Sequence, residues 1–248
     1  MPLDAREPDA LLSCIGVGKN FAGFSALQDL DLEVAPLEIV GIIGPNGAGK
    51  TTLFNLIAGM FAPSSGRIAF DGRDITRMST YRRTRMGIGR TFQLISPFSS
   101  MTVYENVHTA AQANGFRSHQ AKTITEHALE SLQLTPLSRQ SAADINAVEG
   151  KRLEVARALA TRPKLILLDE IFTGLNVDEV GELAQVVRQL RSDGLAVLII
   201  EHNVRAIRAV ADRVIAIDAG RQICSGSPES VFGNAQVMES YLGTRAAA

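Results

Sequence analysis

The chain has 248 residues, 46% hydrophobic and 21% charged, with a formal net charge of -1. That length suffices for one large or two modest domains with a substantial core, and the charge balance supplies no basic field to recruit nucleic acid. Cys14 and Cys224, the only cysteines, exclude a disulfide framework or a cysteine-based metal cluster and point to a reducing compartment.

The chain begins with an acidic, polar stretch (1–9) that does not read as a signal peptide. No apolar run approaches the roughly 20 residues that span a bilayer, so work at a membrane has to pass through partner subunits. Residues 11–17 and 27–34 read as strands, the second alternating so that one face is wet. Phe21 and Phe24 lie between them, and periodicity favours core over base stacking for both. Residues 37–43 form an apolar, β-branched run that reads as a buried strand. It leads into Gly44-Pro45-Asn46-Gly47-Ala48-Gly49-Lys50-Thr51-Thr52 and then into 53–58, apolar at helical spacing. Strand, glycine loop and helix are the context of a phosphate-binding loop. Its amides and the helix start attract phosphate, Lys50 is suited to reach the β- and γ-phosphates, and the Thr51 hydroxyl to ligate Mg²⁺. A nucleoside triphosphate, ATP in the reading developed below, is the expected ligand.

Residues 65–72 read as a short strand closed by an Asp-Gly turn. Arg77, Arg82, Arg83, Arg85 and Arg90 then crowd a segment that begins as a polar helix. A solvated helix face is the simpler reading, and a docking surface the sharper one. Residues 87–93 return to the sheet. From 101 to about 134 the spacing is helical, a second lobe inserted between sheet elements, and 137–144 read as loop. A helix over 149–160 starts from Asn146 as N-cap, with Glu149 in capping-box position. Residues 164–170 then run from apolar residues into Asp169 and Glu170, a buried strand whose acidic end emerges where open parallel sheets bind ligands. Asp169 is placed to hold Mg²⁺ through water, and Glu170 to orient or deprotonate an attacking water. Helix 178–192, strand 196–200, helix 203–212 and strand 213–217 alternate as βαβ units do. Glu201 and His202 end the first of these strands, on the edge that carries the other chemistry. Ser227-Pro228 opens a final helical region through Tyr241 and Leu242.

Taken together, the glycine loop, Gln93, the helix before residue 164, Leu167-Leu168-Asp169-Glu170 and His202 resemble an ABC transporter ATP-binding subunit, over about 15–242. Within that superfamily the chain is similar to the branched-chain amino acid importer type. The stretches that carry this are Gly89-Arg90-Thr91-Phe92-Gln93, 101–107, 152–159, Thr173-Gly174-Leu175-Asn176, Ile200-Glu201-His202-Asn203 and Tyr241-Leu242-Gly243. The resemblance implies an α/β fold: a P-loop NTPase, RecA-like core with an antiparallel β subdomain and a helical subdomain (94–160), one domain over 1–248. It implies two chains clamping two ATPs head-to-tail. It further implies Phe21 as the adenine-stacking aromatic, against the core-first reading. Gln93 would contact Mg²⁺ and the attacking water, Glu170 would be the catalytic carboxylate, and His202 the γ-phosphate contact. Partners would be a second ATPase subunit, transmembrane permease subunits and, indirectly, a periplasmic solute-binding protein. The place would be the cytoplasmic face of the membrane.

The chain departs from that pattern at the signature, commonly Leu-Ser-Gly-Gly-Gln, where it has Ile145-Asn146-Ala147-Val148-Glu149. Asn146 keeps a helix cap and a side-chain donor. Val148 stands where glycine permits close approach to the partner's γ-phosphate, and a β-branched side chain hinders that. Losing such charged hydrogen bonds costs roughly 1.5–3 kcal/mol each, a rate penalty on the order of ten- to several-hundredfold. Ile171 and Val177 replace prolines, loosening loops without removing a catalytic group. The expectation is a heterodimer with a paralogous ATPase, one site strong and one weak. Competing expectations are a transporter for urea or short amides, a low-turnover nucleotide sensor, and an ABC ATPase outside transport.

Overall fold

The computed structural model describes residues 10–91 and 97–243. β1 (Leu12–Phe21) and β2 (Phe24–Val34) pair antiparallel, with Leu12 opposite Val34 and Phe21 opposite Phe24. In β2, Leu30, Leu32 and Val34 are buried while Asp31 faces solvent, the alternation of a strand wet on one side. β4 (Ser65–Phe70) pairs with the other edge of β1, and β5 (Arg73–Asp74) completes the sheet. The β4–β5 turn is Asp71-Gly72, both residues at positive φ as a two-residue hairpin turn requires.

The second sheet has the order β10-β9-β3-β8-β7-β6. Its members are β3 (Ile39–Ile43), β6 (Ile88–Arg90), β7 (Leu165–Asp169), β8 (Ala196–Ile200), β9 (Arg213–Asp218) and β10 (Arg221–Gly226). All pairings are parallel except β10 with β9. Every residue of β3, β7 and β8 is buried, because both faces of the sheet are covered. Alternate side chains feed two cores. Val40, Ile42, Leu165, Leu167, Leu198 and Ile200 pack with Leu53, Phe54 and Ile57 of α1 (Lys50–Ala58) and with Leu12, Leu30 and Phe70 of the antiparallel sheet. Ile43, Ile166, Leu168, Val197 and Ile199 face the opposite way, onto α6 (Val177–Ser192) and α7 (Val204–Val210).

Three further helices share that second core: α3 (Val103–Ala113), α4 (Ser118–Ser131) and α5 (Ala147–Leu159). α3 and α5 both begin with a full capping box, Thr102 with Glu105 and Asn146 with Glu149. α8 (Pro228–Phe232) and α9 (Ala235–Gly243) close the described chain. No helix among the described residues is long and apolar enough to cross a membrane.

Three local expectations are corrected. The strand expected from 37 begins at Ile39, because Leu37 takes a positive φ in the preceding turn. Strand β10, a partly exposed edge strand, went unread. The arginine-rich segment, which contains α2 (Thr80–Met86), is not simply a solvated face. Arg77, Arg82 and Arg85 are exposed, but Arg83 is only 1% exposed. Arg83 Nη1 donates to the carbonyls of Leu56 (2.6 Å) and Ile57 (2.8 Å), and Nε to that of Met78 (2.9 Å). It adds a charged donor to carbonyls in the last turn of α1, of which Leu56 also accepts from the C-cap Gly59 N–H. Burial brings its pKa down to about 10, so it stays charged at neutral pH.

Candidate functional site

Strand register brings the expected residues to one edge. Ile42 of β3 lies opposite Ile200 of β8, and Ile200 lies opposite Asp169 of β7. The residues that follow those ends, Gly44, Glu201-His202 and Glu170, therefore leave the sheet side by side at its carboxyl edge. This is where a doubly covered parallel sheet presents ligands.

The 44–52 turn fits its glycines tightly. At Gly44, φ is 153° and a Cβ would stand 2.0 Å from the Ile217 carbonyl oxygen; at Gly49, φ is 100° and a Cβ would meet the Ala26 carbonyl oxygen at 2.5 Å. Neither position admits a side chain without moving backbone. Gly47 meets nothing within 4 Å, so the crown of the turn is open, while Ala48 is buried beneath it. Pro45, Asn46, Gly47 and Ala48 span the turn and Lys50 begins α1. The Lys50 ammonium donates to the carbonyls of Gly44 (2.7 Å) and Pro45 (2.9 Å), held under the turn rather than in solvent. Burial lowers its pKa, and the nearby Glu170 and Asp169 carboxylates push it back up. Strand register puts the acid pair next to the end of β8, which in turn neighbours the strand that runs into the loop. Thr51 is exposed and Thr52 half-buried in the first turn of α1.

Asp169 is 3% exposed, and its Oδ2 accepts from Arg90 Nη2 at 3.2 Å. Burial raises its pKa and Arg90 opposes the shift. Thr91 ties the strand ends together: its N–H donates to Leu167 O (2.9 Å), and its Oγ1 accepts from Asp169 N–H (3.1 Å). Glu170 sits at φ 51°, a left-handed conformation that is costly for a residue with a side chain and common at functional sites. Its N–H donates to Ile200 O (3.0 Å), and its own carbonyl accepts from Lys151 Nζ (3.2 Å) on α5. His202 is exposed, with Nδ1 3.9 Å from Glu170 Oε1. That is close for charge but beyond a hydrogen bond.

Glu201 is fully buried and accepts from Phe172 N–H at 2.8 Å, joining the end of β8 to the loop after Glu170. Phe21 is 42% exposed, edge-on to Phe61, with the Lys19 ammonium 5.1 Å from its ring centre. Phe21 and Phe24 are thus not core, contrary to the periodicity. Asn146 and Ala147 are exposed and Val148 half-buried at the start of α5, away from the loop's own residues in sequence, where Asn146 and Glu149 cap one another. Gln93 lies outside the described residues. Arg90, Asn55, Lys151 and Glu201 went unassigned by sequence reasoning, although Arg90 and Glu201 lay inside stretches already singled out.

The family model described as ABC transporter matches residues 27–173. A probable ABC transporter ATP-binding protein of Azorhizobium caulinodans is 37% identical over 243 residues, 97% of this chain and 86% of that protein. The chain belongs to the ABC transporter ATP-binding family. As such it is an ATP-hydrolysing subunit of a transporter, and the glycine turn beside an acid pair is the site geometry expected of it.

Among other relatives, the high-affinity branched-chain amino acid transport ATP-binding protein BraF of Pseudomonas aeruginosa is 34% identical, covering 94% of this chain and 98% of its own. The lipopolysaccharide export system ATP-binding protein LptB of Haemophilus influenzae is 35% identical, with the same coverages. The ADP conformation of the ABC transporter cassette MJ1267 superposes with a TM-score of 0.86 at 30% identity, over 94% of this chain and 99% of that one.

Proposed function

We propose that this ABC ATPase powers import of branched-chain amino acids or a chemically related solute, as a peripheral subunit on the cytoplasmic face of a membrane. The observation that carries the ATPase chemistry is the meeting of the 44–52 turn, Asp169, Glu170 and His202 at one sheet edge. Similarity to BraF over nearly the whole chain supports the solute class. An export ATPase at comparable identity, LptB, is the reason the solute needs its own test.

The amides of 44–49 and the start of α1 bind phosphate oxygens, and Lys50 neutralises them. Phe21, half-exposed at the end of β1, offers a ring face for adenine. Thr51 and Asp169 are hard oxygen donors on facing elements and fit Mg²⁺, with Gln93 as a further contact. When bound, Mg²⁺ would neutralise charge on the phosphate oxygens. Glu170, its backbone pinned by Lys151 and Ile200, orients the attacking water, and His202 approaches the terminal phosphate from the neighbouring strand end. One domain spans 1–248, with 94–160 as its helical subdomain.

The second subunit is read as a paralogous ATPase, because Val148 suits the opposite site poorly. A periplasmic solute-binding protein would deliver the solute to the transmembrane permease subunits.

The test is uptake. Deleting the gene should abolish high-affinity uptake of labelled leucine, isoleucine and valine, and restoring it should recover uptake. Unchanged leucine uptake with loss of urea or amide uptake would move the assignment to that solute class. A low-turnover sensor is separated by Glu170→Gln, which traps ATP and tightens dimerisation in a working ATPase and changes little in a sensor.

A further inference from the structure

We infer that Arg90 is a positioning residue that sets the Asp169 carboxylate for the metal–nucleotide complex, braced against α1 through Asn55. This rests on the reading of the 44–52 turn and Asp169 given above and deepens it. Arg90 ends β6 opposite Leu167, and the neighbouring Thr91 is bonded to Leu167 and to the Asp169 amide, so the backbone under the guanidinium is fixed. The side chain crosses the face of Phe54 at 5.9 Å. Its Nη1 donates to Asn55 Oδ1 at 2.6 Å and its Nη2 to Asp169 Oδ2 at 3.2 Å. One planar fork therefore spans from the helix of the glycine turn to the acid end of β7.

The spacing on α1 gives the fork its meaning. Thr51 and Asn55 are four residues apart and lie on the same helix face, one turn apart. Arg90 thus ties the helix turn below Thr51 to the Asp169 carboxylate, and limits how far the two oxygen donors can move relative to each other. Asp169 is almost fully buried, and burial disfavours its charge. Arg90 supplies both the compensating charge and a preferred orientation of the carboxyl plane. A lysine would keep the charge but cannot hold two acceptors in one plane. Partners that orient a metal ligand typically change metal affinity by 10–100-fold when removed.

The experiment is equilibrium binding of a fluorescent, non-hydrolysable ATP analogue to the full chain, with saturating Mg²⁺ and separately with EDTA. It compares wild type, Arg90→Lys and Asn55→Leu, each first shown to be folded by its thermal transition. Wild type should bind more tightly with Mg²⁺. In both variants that Mg²⁺-dependent gain should fall at least about tenfold, while affinity in EDTA stays within about twofold. Retention or enlargement of the gain in either variant overturns the inference, and so does an equal loss in EDTA, which would mark Arg90 as a structural brace only. If wild type shows no nucleotide binding or no Mg²⁺ gain, the reading of the site itself fails, and this inference with it.

Discussion

The carboxyl edge of the six-stranded sheet and the start of α5, the two proposed nucleotide-contacting regions, are built by opposite means. At the sheet edge nearly every group is held by another element: Lys50 by Gly44 and Pro45, Asp169 by Arg90 and Thr91, Glu170 by Ile200 and Lys151, and Glu201 by Phe172. At the start of α5, among the described residues, the Asn146 and Glu149 side chains bond each other's backbone, Asn146 N–H to Glu149 Oε2 at 2.8 Å and Glu149 N–H to Asn146 Oδ1 at 2.9 Å. A cross-braced site cannot lose a member without stranding its partners. A self-capped helix start tolerates new residues so long as the cap survives. Residues 146–148 can therefore vary while the helix itself stays intact.

The largest effect that would break this contrast is expected at the braced edge. Lys50→Ala removes a buried cation that couples to both carboxylates. Loss of one preorganised donor to developing charge costs about 10²–10³ in turnover, and nucleotide affinity should weaken as well. Steady-state ATPase rates and nucleotide titration check this. Unchanged affinity and rate would remove the phosphate from the 44–51 turn and with it the account of the site.

Much of this edge was legible in the sequence because short-range patterns dictate it. The β3–loop–α1 unit, β7 with its terminal acids and the β8–α7–β9 alternation are runs of buried strand residues and periodic helix residues joined by short polar or glycine-rich turns. The Asn146–Glu149 box was legible for the same reason: donor and acceptor lie three residues apart. What was illegible depends on distant partners. Arg83 reads as a solvated helix residue because the carbonyls it satisfies, those of Leu56 and Ile57, lie in another helix. Arg90 reads the same way until β6 is placed beside β7. Phe21 reads as core because hydrophobicity says nothing of the hairpin end that leaves it half in solvent. β10 was missed because, as an edge strand, it carries no strong alternation and only partial burial.

A middle-sized effect sharpens the contrast from the other side. Val148 occupies the second helical position of α5, where the first turn carries no intrahelical N–H bond to lose, so Val148→Gly should leave folding nearly intact. If the valine side chain keeps the partner's phosphate away, the purified chain alone should gain at least about tenfold in ATP turnover on this change, since one restored charged hydrogen bond is worth roughly 1.5–3 kcal/mol. Wild type on its own should be slow. A wild-type rate already typical of transporters, unaltered by Val148→Gly, would refute both the obstruction and the need for a paralogous partner.

The smallest effect concerns Glu201, and its sign follows from burial. The carboxyl is 0% exposed, and burial raises its pKa, an effect that the Phe172 N–H and nearby His202 offset only in part. Its pKa in the folded chain therefore lies above that in the unfolded chain, and the native state holds the proton to higher pH. Stability contributed by the protonated group is fully present below the ordinary glutamate range and is lost as pH rises through the raised native pKa. Glu201→Gln keeps the acceptor for the Phe172 N–H and has no charge to bury, so it resembles the protonated form at every pH. The melting midpoints of wild type and variant should coincide near pH 4. The variant should then pull ahead as pH rises, by about 2–4 °C for each kcal/mol of charge burial avoided, and level off above the native pKa. Comparing the two proteins at each pH cancels the other carboxylates, which titrate in both. A gap that does not depend on pH would mean that Glu201 titrates alike in the folded and unfolded chain, so that burial does not penalise its charge and its link to the Glu170 loop is one of shape alone.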